Sequence, residues 1–224
     1  MRSVLGIDIG LRNMSMCVIT EDREILLWEI YDLLADDIIL CSICGRNAKY
    51  TAGDTSFCGT HFKGNKKSKV NQIKKKKVKQ YSLQEIASKV ISKVNTIVED
   101  NKEIFDQLTS CILELQPKIN PKMGFTSHIL YGKLCDIFLD KPCSIKFERA
   151  NQKLKKYTGD KGVYVANTYK NRKAKAVEYV ANILNSDCLL NGVDYVDYFA
   201  NIKKKDDAAD AMLIAFNCVD LKKF

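Results

Sequence analysis

No apolar run in the sequence is long enough to cross a bilayer. The N-terminal MRSVLGIDIG lacks an apolar stretch ending in small residues, so a cleaved secretory signal is not expected. Without a secretory route, the nine cysteines are expected to be thiols or metal ligands in a reducing, intracellular compartment. No internal repeat is present, and no Arg-rich, acid-poor leader precedes the first strand, which argues against mitochondrial targeting. Acid is missing altogether from residues 63–79, KGNKKSKVNQIKKKKVK, which hold nine lysines against a formal net charge of +9 for the chain. So dense a block repels itself until it meets a polyanion, and nucleic acid is the obvious one because neutralising its phosphates releases counterions. A solvated tail or a localisation signal is the bland alternative. With 224 residues and 46% hydrophobic content, the chain suits one domain with a small insert.

Residues 2–9, 15–20 and 24–30 read as strands, with a tight turn at Asp22-Arg23, and predict an antiparallel meander. Residues 41–61 break the pattern and the lysine block follows. From Ser82 the period becomes helical: Leu83, Ile86, Ala87, Val90, Val94, Ile97 and Val98 share a face running on toward Phe105, with Ser82 and Glu85 spaced as a capping box. CILEL at 111–115 reads as a buried strand, Pro117 and Pro121 as bracketing a loop, and 122–139 as a helix. CSIKF at 143–147 reads as a strand, 149–167 as a loop, 168–184 as a helix, and a last helix runs from about Asp206 to Val219. A meander followed by strands alternating with helices predicts a mixed sheet covered by helices.

Four carboxylates sit where a carboxylate is costly: Asp8 in the first strand, Glu114 in CILEL, and Asp207 and Asp210 opening the last helix. Residues three apart share a helix face, so Asp207 and Asp210 can point at one place. A buried carboxylate takes up a proton unless something neutralises it. Divalent cations do so, and oxygen-rich sites with open positions suit Mg²⁺ or Mn²⁺, a pair of which can cleave a phosphodiester. Each acid has a plainer reading: a turn for Asp8, a solvated strand face for Glu114, a helix cap for Asp206 or Asp207.

Taken in order, GIDIGLRN (6–13), ILELQPKINPKM (112–123), TYKNRKAKAV (168–177) and KKDDAADAM (204–212) resemble the RuvC-like Holliday junction resolvases of the RNase H-like superfamily, nearest to the poxvirus and fungal mitochondrial ones. The resemblance implies an α/β fold with a mixed five-stranded sheet, its first three strands antiparallel and the others parallel, flanked by helices. Residues 1–224 would then form a single nuclease domain, interrupted by an inserted knuckle at 41–61 and a lysine-rich linker at 63–79. It further implies a two-metal nuclease, with two Mg²⁺ or Mn²⁺ per site, that cuts four-way DNA junctions by paired symmetric nicks as a homodimer and leaves 5′-phosphates. Carried over by motif, Asp8 touches both ions, Glu114 is the fourth-strand acid, and Asp207 and Asp210 are the paired helix acids, Asp206 being the weaker candidate. A two-fold dimer suits the approximate two-fold symmetry of a junction, with the apolar face of helix 122–139 as one candidate interface. The source it leans to is a large DNA virus, acting where viral DNA replicates in the host cell.

Basic residues alternate with Tyr157, Tyr164 and Tyr169 around the third motif. Lys153, Arg172, Lys173 and Lys175 are candidates for phosphate contacts, and the tyrosines for stacking on unpaired bases. The insert departs from the family. Cys41, Cys44, Cys58 and His61 are spaced C-x2-C-x13-C-x2-H, which predicts a closed, structural Zn²⁺ site, with Gly45 and Gly59 easing the turns. The remaining cysteines read as packing residues. Zinc here would anchor the lysine block, Lys74, Lys75, Lys76 and Lys77 included, for contact with a junction arm. Three other readings compete: a related RuvC-like nuclease or transposase with another DNA substrate, a non-catalytic zinc-containing DNA-binding protein, and an ATPase suggested by GxDxG. The last needs two such domains, and 224 residues are too few.

Overall fold

The structure, a computed structural model, describes residues 2–35, 39–62, 71–74, 76–116, 120–149 and 169–220. In chain order its elements are β1 (Ser3–Asp8), β2 (Met14–Thr20), β3 (Ile25–Tyr31), β4 (Tyr50–Ala52), β5 (Thr55–Phe57), α1 (Gly59–Phe62), β6 (Asn71–Gln72), α2 (Leu83–Asp100), α3 (Lys102–Asp106), β7 (Leu108–Glu114), α4 (Pro121–Ile137), β8 (Ser144–Glu148), α5 (Tyr169–Leu184), α6 (Val196–Asn201) and α7 (Lys205–Asp220). They fall into two compact units, Met1–Leu34 with Leu83–Phe224, and Ala35–Ser82. Among the described residues no helix is long and apolar enough to cross a membrane.

The first unit is built on a five-stranded sheet in the order β3-β2-β1-β7-β8. β1, β2 and β3 form the expected antiparallel meander, and β7 and β8 add in parallel. The β2–β3 turn closes with the Arg23 N–H donating to the Thr20 carbonyl at 2.9 Å, Arg23 taking φ +67°. Alternation decides which face each residue covers. Val4, Cys17, Ile19, Trp28 and Ile112 point to one face, where they form a core with α5 and α7. Leu5, Ile7, Val18, Cys111 and Leu113 are buried on the other.

Gly6 lets α7 lie against β1. A Cβ there would collide with the carbonyl oxygen of Ala211 and stand 2.6 Å from the Ala215 nitrogen. The helix answers with small residues, Ala208, Ala211 and Ala215, all fully buried. Trp28 on β3 holds the start of α7: its indole N–H donates to the Ala208 carbonyl at 3.0 Å, and its ring stacks on Phe199 with centroids 5.3 Å apart.

Several expectations are corrected. The helix toward Phe105 is interrupted at Asn101, whose φ of −123° and ψ of 32° leave the helical region, so α3 is separate. β7 starts at Leu108, three residues before CILEL, because Thr109 and Ser3 satisfy each other's strands: the Thr109 hydroxyl donates to the Ser3 carbonyl at 3.0 Å and the Ser3 hydroxyl to the Gln107 carbonyl at 2.9 Å. Pro121 opens α4 rather than closing a loop, as suits a residue without an N–H, and the Asn120 side chain caps the helix by accepting from the Met123 N–H at 3.3 Å. α6 and the 3₁₀ turn before it were not anticipated. The loop expected at 149–167 lies outside the described residues apart from Arg149.

The second unit contains a three-stranded antiparallel sheet, β5-β4-β6. Its glycines in left-handed conformation are Gly45 (φ +68°) and Gly53 (φ +58°); Gly59, expected to ease a turn, instead begins α1.

Candidate active site

Asp8 and Glu114 end adjacent parallel strands. Ile7 pairs with Leu113, so the next residue on each strand is a carboxylate, on the same face as Gly6 and Ile112. That face is the one α7 covers, and Asp210 sits on α7 next to Ala211, the residue pressed onto Gly6. The close β1–α7 approach therefore brings the three acids together, with one carboxylate oxygen from each within 4.8 Å of the others. Asp210 is 8% exposed. They lie where ligands bind in open α/β sheets, beyond the carboxyl ends of the strands. At that spacing each pair of charges repels by about 3 kcal/mol at an effective dielectric of about 20. An all-carboxylate donor set fits a hard divalent cation such as Mg²⁺ or Mn²⁺.

Asp207 is not in this cluster. Three residues along a helix leave two side chains about 60° apart around the axis and one rise of about 4.5 Å apart along it. Its carboxylate instead lies 3.3 Å from the Lys173 ammonium, which also pairs with Asp206. Burial, and then the neighbouring Asp206 charge, push the Asp207 carboxyl above its ordinary range, with Lys173 opposing. Burial pushes Asp206 up too, but the Lys173 hydrogen bond and charge outweigh it and hold this carboxyl low. Sequence spacing alone could not say which carboxylate faces the sheet and which faces α5.

The other residues of GIDIGLRN are accounted for by the turn. A Cβ on Gly10 would stand 2.5 Å from the Asn13 carbonyl oxygen. Arg12, to which the sequence pattern assigns no role, ties the loop to the segment after β3: its guanidinium donates to Asp32 at 2.9 Å and to the Leu34 carbonyl at 2.9 Å. Of the basic candidates, Arg172 is exposed and Lys175 half-buried on α5. Lys173, Lys203 and Lys205 line a cavity of about 470 Å³ that also touches Asp206. Lys74 and Lys77 are exposed, and the Lys76 ammonium lies 4.8 Å from the centre of the Tyr81 ring. Lys75, Lys153, Tyr157 and Tyr164 lie outside the described residues.

In the second unit Cys41, Cys44, Cys58 and His61 gather with all ligand atoms within 4.8 Å. The His61 Nδ1 is 3.5 Å from Cys41 Sγ and 3.6 Å from Cys58 Sγ, and the Cys44 and Cys58 sulfurs are 3.8 Å apart. Zinc bond lengths of about 2.3 Å to sulfur and about 2.05 Å to nitrogen give tetrahedral edges of about 3.8 and about 3.6 Å, so the donors are spaced as a zinc ion would hold them. Burial raises the Cys41 thiol, but backbone N–H groups of Cys58, Ile43 and Cys44 and the His61 ring bring it down to about 5. The His61 N–H likewise lowers Cys58. Thiolate is the metal-binding form.

No protein-family model matches the chain. A curated relative, the uncharacterized protein L451 of Acanthamoeba polyphaga mimivirus, is 26% identical over 196 residues, covering 76% of this chain. The chain spans 45% of that relative's length. Among solved structures, Thermus thermophilus RuvC in complex with a Holliday junction substrate aligns over 100% of this chain and 96% of that one at 12% identity, with a TM-score of 0.49. The yeast mitochondrial Holliday junction resolvase Ydc2 aligns over 98% of this chain and 78% of its own at 15% identity, with a TM-score of 0.56. The sheet order and the likeness to Ydc2 together show that the chain has the RuvC-like form of the RNase H-like fold.

Proposed function

We propose that the chain is a metal-dependent, structure-selective DNA endonuclease that resolves four-way junctions by paired symmetric nicks. The observation that carries this reading is the convergence of Asp8, Glu114 and Asp210 within 4.8 Å at the ends of two parallel strands of a RuvC-like sheet. Bound there, two divalent cations would supply a deprotonated water and stabilise the leaving oxygen. Asp8, Glu114 and Asp210 would hold them, their mutual repulsion relieved by binding. Asp207 is the fourth candidate ligand; Lys173 offsets its charge and that of Asp206 until a cation arrives. Arg172 and Lys175, with Lys153, would bind phosphates flanking the cut and fix the register of the DNA without reading bases.

A homodimer would present two equivalent sites to the two strands of a junction. Leu130 and Leu134 of α4 are buried, and Met123, Ile129 and Ile137 remain half-buried for a two-fold contact. The mimivirus relative favours a viral source. The cysteine-histidine cluster favours, as second reading, a related RuvC-like nuclease or transposase with another DNA substrate. A substrate panel separates the two. Incubated with Mg²⁺, the protein should nick a four-way junction at symmetric positions on two strands and leave flaps, loops and linear duplex largely intact. Equal cutting of the others would transfer the assignment to the second reading.

A further inference from the structure

The proposed reaction makes no use of the second unit, yet that unit holds most of the charge. Residues 35–82 contain eleven Lys and Arg, three Asp and no Glu, a net +8 of the chain's +9. A zinc ion on three thiolates and one imidazole would lower this by only about one charge. Among the described residues, the fold of the unit brings Arg46, Lys49 and Lys74 to one end of its sheet. β6 runs antiparallel to β4 with Gln72 opposite Tyr50, and the Ile73 N–H donates to the Lys49 carbonyl at 2.9 Å. The next residue, Lys74, therefore arrives beside the stretch that holds Arg46, Asn47 and Lys49. Asp54, the one acid among the described residues of this unit, sits in the β4–β5 turn, at the far end of the hairpin from Lys49.

At the basic end lies a groove of about 700 Å³ lined by Arg46, Asn47, Lys49, Cys58, Gly59 and Thr60. Guanidinium, amide, ammonium and hydroxyl all offer donors, and among the described residues no carboxylate lines the groove. The Cys41 N–H donates to the Arg46 carbonyl at 2.7 Å, which ties the groove wall to the cysteine-histidine cluster.

We propose that this unit is a sequence-independent clamp on the phosphate backbone of duplex DNA. Arg46, Asn47, Lys49 and Thr60 take a phosphodiester in the groove, and Lys74 and Lys77 extend the contact along the strand. Zinc acts as a positioning element, holding Arg46 and Thr60 on the two ligand-bearing segments at one wall. The proposal takes its polyanion from the DNA-cleaving reading above, but it is tested by binding alone.

The test uses the full chain carrying Asp8→Asn, zinc-loaded and without chelator, titrated against a fluorescent linear duplex over a range of KCl concentrations. Each phosphate that is no longer neutralised should make the slope of log Kobs against log[salt] shallower by about 0.9. Lys49→Gln should therefore flatten the slope by about one unit, and Arg46→Gln with Lys49→Gln by about two. Zinc content of one per chain shows that the unit is intact; if the double variant loses zinc, Lys49→Gln decides. Lys102→Gln, an equal change of charge on the exposed surface of α3, should leave the slope unchanged. Unchanged slopes in the groove variants, or an equal change in Lys102→Gln, would overturn the clamp. If the groove variants flatten the slope but wild-type protein cuts no substrate in the panel, the nuclease reading fails and the clamp stands. Cleavage by wild type with unaltered slopes in the groove variants sinks the clamp and leaves the nuclease reading in place.

Discussion

At the scale of single residues, the site depends on two kinds of choice, acids that bear charge and glycine or alanine that makes room. Gly6→Ala places a methyl group against the backbone of Ala211 and Ala215, atoms that cannot swing aside. Overpacking of this kind costs about 1–3 kcal/mol, so urea denaturation should show a loss in that range, together with weaker Mg²⁺ stabilisation as Asp210 moves from Asp8. An unchanged midpoint would mean that α7 does not press on β1. Asp207 gives a prediction in pH. Burial and the Asp206 charge raise its carboxyl in the folded chain, so the folded state holds that proton more tightly than the unfolded state. Its favourable contribution is present in acid and is lost as pH rises through the raised value. Without Mg²⁺, Asp207→Asn should therefore melt higher than wild type at neutral pH, with the gain fading as pH falls below the ordinary carboxylate value of about 3.9. A gain that grows in acid would contradict the sign.

At the scale of elements, the strands of the main sheet were legible because their apolar alternation is strong and their turns are short. Asp8, Glu114 and Asp210 stood out for the same reason, being charges inside apolar patterns. The apolar pattern starts β7 three residues late because Thr109 and Ser110 are polar, and their hydrogen bonding to β1 is a long-range fact that no local pattern carries. α6 is only six residues, too short for a helical period, and its place is set by Phe199 stacking on Trp28. The second sheet leaves no local signature, because β4, β5 and β6 are only two or three residues each. Asp207 is the lesson of the helix: i, i+3 spacing narrows direction to a face, not to a point, and the α5 lysine that meets it is 34 residues away in sequence. One cap can be tested by itself. Asn120→Ala should cost about 1 kcal/mol by removing the acceptor for the Met123 N–H, measured as a shift in denaturation midpoint; no shift would mean that the cap contributes nothing to α4.

At the scale of the whole molecule, the chain divides chemistry from charge. The first unit carries the acids of the candidate site, and the second carries nearly all the net charge beside a site spaced for zinc. Removing zinc with a selective chelator should therefore unfold the second unit while most helical and sheet signal remains, since the long helices and the five-stranded sheet lie in the first. Complete cooperative loss of circular dichroism would instead join the two units into one folding block. The central claim is that Asp8, Glu114 and Asp210 cut DNA. Its most direct test is the single-turnover rate of Mg²⁺-dependent nicking of a labelled four-way junction by wild type, Asp8→Asn and Glu114→Gln, with junction binding measured in parallel. The expected result is symmetric nicking by wild type and a rate lower by on the order of a thousandfold or more in either variant, about 4 kcal/mol of barrier, with affinity changed by no more than a few-fold. Variants that cut at the wild-type rate, or a wild type that binds the junction and never nicks it, would contradict the account.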